Sequence, residues 1–411
     1  VWTKMHRFSV WDHEPQYTDF GHKMVYHNGY LLVSAPSVNS KGAIYLLKYN
    51  PSTQLMERVA SKRRYDLNPG PTSSDTNFGN NIAMDDKYIY ASGWDSDTEI
   101  FVLDYSLELI FVTPDFSYIL NKKFGNYEKV NFYSYSKCRA FFKNGHYYLL
   151  QVVELHSYKG DQGSSINGTN IYAVVLLKKH ETLDNWTLHQ VLHDVNVFPS
   201  RGSFGYTNRN HNVNGYDIDT NADTIFVSYQ YSKQLLNNVD DIETIGGVYV
   251  FKFNVTTGLW GDDNVYSNAH FNSNYPSAND KVVNRWSERI SYPNDIIIDT
   301  DLYKFAPYNS SHLLFGSIKY DSNKERLLIS QQYGKYDTTY NNRGSISIYK
   351  NINNKYKKIN TIINPYGSLT RWIGYPLGTT ESGDIYFTAS EDVGIAYGSI
   401  NKVFVVNFTK K

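Results

Sequence analysis

Acidic and amide side chains alternate in one short segment that precedes a strand-like run. Asp217, Asp219, Asn221 and Asp223 are separated by single residues, and Thr224–Tyr229 follows them. Alternating carboxylate and amide oxygens in a hairpin turn have the spacing that calcium prefers, although the central glycine of such loops is missing here. The alternative is a polar turn in which Asp and Asn side chains cap their own backbone. The sequence therefore predicts either a calcium loop or a capped hairpin turn.

A search for catalytic motifs gives little support for an enzyme. It contains no His-Glu-x-x-His, no nucleophile elbow and no P-loop. The remaining candidates are carboxylates that follow the second strands of predicted repeats, namely Asp95, Glu154, Asp240 and Asp392. Two carboxylates about 5–10 Å apart in an open pocket can hydrolyse a glycosidic bond. A glycan-active hydrolase or lyase, with these carboxylates near the axis of the fold, is therefore the alternative to a non-catalytic function. The segment Trp94-Asp95-Ser96-Asp97 is also a weaker calcium candidate.

Charge and cysteine content exclude several classes of protein. The 40 basic residues balance 40 acidic ones, which leaves no electrostatic footprint for nucleic acid and no polybasic membrane patch. No apolar run approaches the roughly 18 residues that a membrane-spanning helix needs. The single cysteine, Cys138, excludes a disulfide framework, and it is expected to be a small buried side chain rather than a reactive thiol.

A unit of four short strand-like runs over 20–59 recurs along the chain. Asn28-Gly29 between two apolar runs is a strong hairpin signal, because both turn residues need positive φ. Four units open with Phe-Gly, at Phe20, Phe78, Phe204 and Phe315. A serine follows 14 or 15 positions later in three of them, and Ser228 follows 24 positions after Phe204. The predicted units span 20–59, 78–112, 136–192, 204–265, 313–362 and 372–409, and the last of them has three strands.

The predicted fold is all-β: one domain over 1–411 that forms a six-bladed β-propeller of four-stranded antiparallel blades. Thr3–Trp11 resembles the fourth strands of other units, and its pairing with Val403–Phe408 would close the ring and hide the sheet edges. Seven blades is the alternative. It requires a degenerate blade within Tyr266–His312, where Ile296–Ile298 is the one clear strand-like run.

The best copy of the repeat, Phe20–Leu47, has Ser34-Ala35-Pro36 at the "GAP" position and resembles the FG-GAP repeat of integrin α-subunit propellers. Phe78–Leu103 and Phe315–Tyr349 are further copies. The resemblance implies an extracellular or lumenal adhesion or scaffold domain, with calcium loops between first and second strands. Because the chain starts at Val1, we expect either a removed signal segment or a part of a longer protein.

Loop lengths predict that one end of the blades carries the function. First and second strands are joined by short turns, whereas long segments follow second and fourth strands. Long loops on a rigid scaffold commonly bind partners, and their aromatic residues are candidate anchors for a protein or a glycan. These residues are Trp94, Tyr158, Tyr231, Trp286, Tyr333, Tyr336 and Tyr340. The alternative is that a chain with 37 tyrosines places them everywhere. We expect a non-catalytic recognition, adhesion or scaffold module, in a larger assembly or alone.

Asn-x-Ser/Thr sequons predict a glycoprotein on the secretory route, located outside the cell or at its surface. The five acceptors are Asn167, Asn185, Asn254, Asn309 and Asn407. All except Asn407 lie in predicted turns or loops, where an acceptor must be accessible.

Overall fold

A computed structural model gives the fold. It describes residues 20–53, 55–67, 77–93, 100–113, 129–132, 138–156, 170–179, 186–192, 217–234, 242–261, 290–291, 294–298, 315–331, 345–363, 372–379, 383–392 and 399–406. Strands make up the regular structure of these ranges, together with the short 3₁₀ turns Val38–Ser40 and Arg64–Asp66. The search of these ranges for a helix long and apolar enough to span a membrane finds none.

The chain divides into two compact units. Unit 1 is Val1–His193, Ser200–Asn208 and Val265–Ile290, and unit 2 is Asp194–Pro199, Arg209–Asn264 and Ser291–Lys411. Each unit contains antiparallel sheets whose strands pair in chain order, as a meander requires.

Unit 1 has three such sheets. Sheet 1 consists of β1 (Met24–His27), β2 (Tyr30–Ala35), β3 (Ala43–Asn50) and β4 (Leu55–Arg63). Sheet 2 consists of β5 (Asn81–Met84), β6 (Ile89–Ser92), β7 (Phe101–Leu103) and β8 (Leu109–Val112). Sheet 3 consists of β9 (Lys129–Phe132), β10 (Cys138–Lys143), β11 (His146–His156), β12 (Asn170–Lys179) and β13 (Trp186–Leu192). Both β9 and β10 pair with β11, at different positions along it.

Unit 2 repeats the pattern. Sheet 4 consists of β14 (Ile218–Thr220), β15 (Thr224–Gln234), β16 (Ile242–Asn254) and β17 (Leu259–Trp260). The next strand along the chain, β18 (Ile290–Ser291), is the sixth strand of sheet 3. Strand β19 (Asp295–Ile298) pairs with β16. Sheet 5 consists of β20 (Phe315–Asp321), β21 (Arg326–Gln331), β22 (Ser345–Ile352) and β23 (Lys355–Ile363). Sheet 6 consists of β24 (Trp372–Thr379), β25 (Ile385–Asp392) and β26 (Ser399–Val406).

These sheets confirm the predicted all-β class and its four-stranded, blade-type units, including the three strands of the last one. One detail of the sequence interpretation is wrong, because Tyr231 lies within β15 rather than in a loop. The last described strand of sheet 4 is β17, and Val265, near which a weak last strand is predicted, lies outside the described residues. The run Ile296–Ile298 adds to sheet 4 as β19. The blade count and closure by Thr3–Trp11 stay predictions, since 3–11 lie outside the described residues.

The Phe-Gly pair has the same place in sheets 1 and 2. The backbone N–H of Gly21 donates to Ser34 O at 2.9 Å, and that of Gly79 donates to Ser92 O at 3.1 Å. Phe78 is buried in the hydrophobic cluster that joins the two sheets. A Cβ at Gly79, where φ is +90°, would lie 3.0 Å from Ala43 O. The glycine is therefore needed for close approach of neighbouring sheets, and the phenylalanine fills the space between them.

Candidate functional site

The first strands of the three sheets in unit 1 bring polar residues together. Strand β1 contacts β5, and β5 contacts β10. Lys23 directly precedes β1, Asn81 begins β5, and Cys138 begins β10. All three side chains are buried, and Lys23 is only 7% exposed. Buried lysines are rare unless their ammonium group has polar neighbours, so this group of residues is the first candidate for a site.

Lys23 and Asn81 form the centre of this group. The Lys23 Nζ atom donates to Asn81 Oδ1 at 2.8 Å, across the boundary between sheets 1 and 2. Beside it, Asn81 Nδ2 and the Oγ of Ser92, the ladder partner of Asn81, are buried and have no hydrogen-bond partner within the described ranges. An unsatisfied buried donor costs about 1–3 kcal/mol, so such atoms call for a partner such as an ordered water or a ligand.

Two cations act on the start of β10. Burial raises the pKa of the Cys138 thiol to about 11, and the charges of Lys23 and Arg139 act in the opposite direction. Arg139 also donates from Nη1 to Cys138 O at 3.0 Å. Two cationic side chains therefore lie near the Cys138 thiol.

Cys138 is expected to be unreactive in the folded protein. With a pKa of about 11, about one thiol in ten thousand is ionised at neutral pH, and the side chain is buried. Because it is the only cysteine in the chain, mass spectrometry after iodoacetamide treatment reports on it directly. We expect no label on the native protein and one label after unfolding in urea. Equal labelling rates in both states would contradict this burial.

The first strands begin at the end of the sheets where the longer connections lie. In unit 1, 36–42, 93–100 and 157–169 join second to third strands, whereas 28–29, 85–88 and 144–145 join first to second strands. The difference in length agrees with the sequence prediction for these sheets. The aromatic candidates Trp94, Tyr158, Trp286, Tyr333, Tyr336 and Tyr340 lie outside the described residues, and their role in binding stays a prediction.

The predicted catalytic carboxylates are only partly described. Glu154 lies in β11, beyond Gln151, which is the ladder partner of Cys138. Asp392 ends β25, while Asp95 and Asp240 are outside the described residues. Catalysis by these groups stays a prediction.

One sequon is described. Asn254 is exposed at the end of β16, and its Oδ1 accepts from Thr256 N at 2.9 Å. The sequons at Asn167, Asn185, Asn309 and Asn407 lie outside the described ranges. Glycosylation at all five positions stays a prediction.

The first two carboxylates of the candidate calcium loop bind backbone groups of the neighbouring sheet. Asp217 Oδ2 accepts from Ile318 N at 2.8 Å, and Asp219 Oδ2 accepts from Tyr320 N at 2.7 Å. Side chains two residues apart on a strand point to the same face, so the Asp-x-Asp spacing matches the alternate N–H groups of β20. These contacts satisfy donors on a first strand, where a sheet has its edge.

Asn221, the third candidate ligand, caps its own turn. Its Oδ1 accepts from the backbone N–H groups of Asp223 and Thr224. Asp85 Oδ1 and Asp321 Oδ1 accept in the same way from residues two and three positions later, in sheets 2 and 5. This is the capped hairpin turn that is the predicted alternative to a calcium loop. Calcium binding by Asp217, Asp219, Asn221 and Asp223 stays a prediction. Over the described ranges, no three His, Cys, Asp or Glu residues come together as a metal site would need.

The opposite end of unit 1 is a polar and aromatic cluster whose groups satisfy one another. Tyr90 donates its hydroxyl to Asp85 Oδ2 at 2.5 Å, and Lys179 Nζ donates to the Tyr88 hydroxyl at 2.5 Å. The rings of Tyr88 and Tyr147 meet edge to face. Burial raises the pKa of Asp85, and its hydrogen bonds oppose that shift. The groups at this end therefore form a structural contact between the three sheets.

Sequence reasoning missed Lys23, Asn81 and Arg139. A signal for the first two exists, because each stands two positions after the glycine of a Phe-Gly pair. Aligning the first two units on that glycine shows a position that is polar in both, whereas the Phe315 unit has Ile318 there. Nothing in the sequence marks Arg139, since the third unit lacks the Phe-Gly pair.

Comparisons with known proteins return structural similarity alone. No family model matches the sequence, and no curated protein matches it. A solved structure of a family PL25 polysaccharide lyase, an ulvan lyase, is 14% identical, with a TM-score of 0.42 over 93% of this chain and 82% of its own. A xylan β-1,4-xylosidase from Bacillus halodurans C-125 is 10% identical, with a TM-score of 0.35 over 80% of this chain and 52% of its own. An endo-arabinanase from Bacillus licheniformis is 10% identical, with a TM-score of 0.33 over 80% of this chain and 93% of its own. At these values we infer nothing about activity from the three structures.

Proposed function

We propose that this protein is a glycan-directed β-propeller that binds a saccharide at the start of the first strands of unit 1. The observation that carries the proposal is a pair of buried atoms near the Lys23 ammonium, Asn81 Nδ2 and Ser92 Oγ, which have no hydrogen-bond partner among the described residues. A few convergent polar groups at the elaborated end of a rigid scaffold are the usual composition of a ligand site. Saccharide hydroxyls both accept and donate, so they suit an amide and a hydroxyl together.

We further propose that the protein follows the secretory route and works outside the cell or at its surface. The sequons motivate this part of the proposal, and Asn254 is exposed as an acceptor must be. The balanced charge of the chain favours a glycan or a protein over a nucleic acid as the partner. The FG-GAP resemblance adds an adhesion context, in which recognition of a surface glycan is the binding event.

Cleavage of the bound glycan is the second candidate. The observation that favours it is the position of Glu154 in β11, the strand that pairs with the start of β10 beside Cys138. A carboxylate at this end of the sheets could act as a general acid or base on a saccharide held there. The matched lyase, xylosidase and arabinanase carry names of glycan-active enzymes, but those names describe those proteins.

Binding to a panel of soluble polysaccharides tests the proposal. We expect at least one to bind in titration calorimetry, and we expect Asn81→Ala to weaken that binding about tenfold, because a hydrogen bond is worth about 1 kcal/mol or somewhat more. The control is Asp86→Asn, an exposed change in the turn at the opposite end. No binding across the panel, or equal affinities of the two variants, would overturn the proposal.

The same samples separate binding from cleavage. Release of reducing ends or of unsaturated ends, lost in Glu154→Gln while affinity is kept, would assign the second candidate. Binding without any release of ends would assign recognition alone.

A further inference from the structure

We infer that the outer edge of sheet 5 binds an acidic polysaccharide through three lysines, Lys350, Lys355 and Lys357, which we call the lysine surface. The inference rests on the proposed function for the class of the partner, a glycan. It differs from the saccharide site of unit 1 in its residues and in its need for negative charge on the ligand.

Two lysines face each other at this edge. Lys350 in β22 and Lys357 in β23 are ladder partners, and β23 is the last strand of sheet 5. The Cβ atoms of directly opposite residues are about 4.5–5.5 Å apart. Lys355 lies on the same face as Lys357, because side chains two residues apart on a strand point the same way. All three side chains are exposed, so the lysine surface presents its ammonium groups to solvent.

Sheet 1 has opposite charges at the equivalent position. The ladder between the last two strands has one register shift in each of the two sheets. The second residue pair from that shift towards the turn is Lys48 with Glu57 in sheet 1, and Lys350 with Lys357 in sheet 5. Opposite charges in this arrangement stabilise a sheet, whereas like charges destabilise it. Sheet 5 therefore departs from the stabilising pair of its repeat, as functional surfaces do.

The charge of the lysine surface is not neutralised by the residues described around it. In the part of the chain that the structure covers, Lys350, Lys355 and Lys357 form no ion pair. The carboxylate in the same cross-strand row as Lys350 is Asp321, which is 1% exposed and accepts from Arg326 Nε at 2.9 Å. An anionic ligand can therefore supply the negative charge that Glu57 supplies in sheet 1.

Protection of the sheet edge does not account for the lysine pair. Charged side chains on an edge strand hinder its pairing with another chain. Lys355 and Lys357 on β23 can serve that purpose, but Lys350 lies on β22, which is paired on both sides. A glutamate in place of Lys357 would also keep a charge on the edge strand, as Glu57 does on β4.

The composition of the lysine surface favours a polysaccharide over a protein. Protein interfaces have an apolar and aromatic core and are depleted in lysine. Ile352, the ladder partner of Lys355, lies beside the lysines on this face and is only 38% exposed. A hydrated acidic polysaccharide requires charge and hydrogen-bond donors rather than apolar area, and each ammonium supplies three donors.

Titration calorimetry on the full chain tests the inference with dextran sulfate, polygalacturonate and neutral dextran at two salt concentrations. We expect at least one acidic polysaccharide to bind at least about tenfold more tightly than dextran, with an affinity that falls as salt rises. Comparison of the two acidic probes identifies the anionic group as sulfate or carboxylate.

Lys357→Glu gives sheet 5 the lysine–glutamate pair of sheet 1. We expect it to weaken binding of the acidic polysaccharide about tenfold, because one ion pair is lost and one repulsion is added. Its midpoint of urea unfolding should be at or above that of the unchanged protein, which separates loss of binding from loss of fold. The control is Lys87→Glu, the same change of charge at an exposed lysine of unit 1, and it should leave this binding unchanged.

The outcomes distinguish the inference from the proposed function. Equal losses with Lys357→Glu and Lys87→Glu would show that only the net charge matters, and a lower unfolding midpoint of Lys357→Glu would show that the two lysines do not face each other. Either result would overturn the inference, as would tighter binding of polyglutamate, which would assign an acidic protein segment. Acidic binding that depends on Asn81 and not on Lys357 would leave the proposed function in place and refute the lysine surface. Acidic binding that depends on Lys357 and not on Asn81 would support the lysine surface, whatever the fate of the site in unit 1.

Discussion

Gly42→Ala is expected to destabilise the protein by about 4 kcal/mol or more, or to prevent folding. A Cβ at this position would lie 2.1 Å from Phe78 O and 2.5 Å from Phe78 N, both of them backbone atoms. Gly42 and Phe78 form a parallel bridge between sheets 1 and 2, and Phe78 N donates to Lys41 O at 2.8 Å. The clash therefore cannot be relieved by a side-chain rotation, and the two sheets must separate.

Gly29→Ala is the matched control for this prediction. Gly29 also has a positive φ, +80°, but a Cβ there would meet no atom within 4 Å. Gly29→Ala should therefore lower the unfolding free energy only by the cost of placing an alanine in the left-handed region, about 1–2 kcal/mol. Urea unfolding followed by fluorescence compares the two variants. Similar unfolding free energies would show that the close approach of Gly42 to Phe78 does not exist in solution.

Removing the guanidinium of Arg326 is expected to cost about 3–5 kcal/mol, because it leaves a buried carboxylate without compensation. Asp321 is 1% exposed and Arg326 is 7% exposed, and Arg326 Nε donates to Asp321 Oδ2 at 2.9 Å. Arg326 also donates to the backbone oxygen of Gly383, which ties sheet 5 to the segment before β25. Arg326→Met should therefore lower the unfolding free energy strongly.

The double variant Asp321→Asn with Arg326→Met is the test of that reason. It removes both charges, so it should recover much of the lost stability. Lys324→Met, an exposed change in the same turn, should have little effect. If the double variant is as unstable as the sum of its single changes, the buried charge is not the cause of the loss.

Much of the fold could be predicted because it depends on local chemistry. The tight turns at Asn28 and Asn144 have φ of 46° and 50°, and an Asn-Gly pair adopts such values at low cost. Turn residues and apolar runs of fixed spacing predict the hairpins directly. The position of Tyr231 in β15 was missed, since the hairpin of β15 and β16 continues well beyond the usual strand length.

Long-range pairing explains most of the remaining errors. Strand β9 joins the far part of β11, and β19 joins β16 across a segment of many residues. Neither pairing has a turn signal between its partners. The candidate site was missed for a related reason: the contact of Lys23 with Asn81 joins residues from different sheets, and each looks ordinary in its own repeat.

A serine in the second strand anchors the first strand in three sheets, and it does so through main-chain atoms. The backbone N–H groups of Lys23, Asp217 and Ser317 donate to the hydroxyls of Ser34, Ser228 and Ser330, respectively. Because the donor is a backbone N–H group, this hydrogen bond does not depend on the side chain of the donor residue. A cation, an anion and a hydroxyl therefore occur at one equivalent position. Duplicated blades could thus diverge in what they recognise through single codon changes at this position, without any need to rebuild the sheet beneath it.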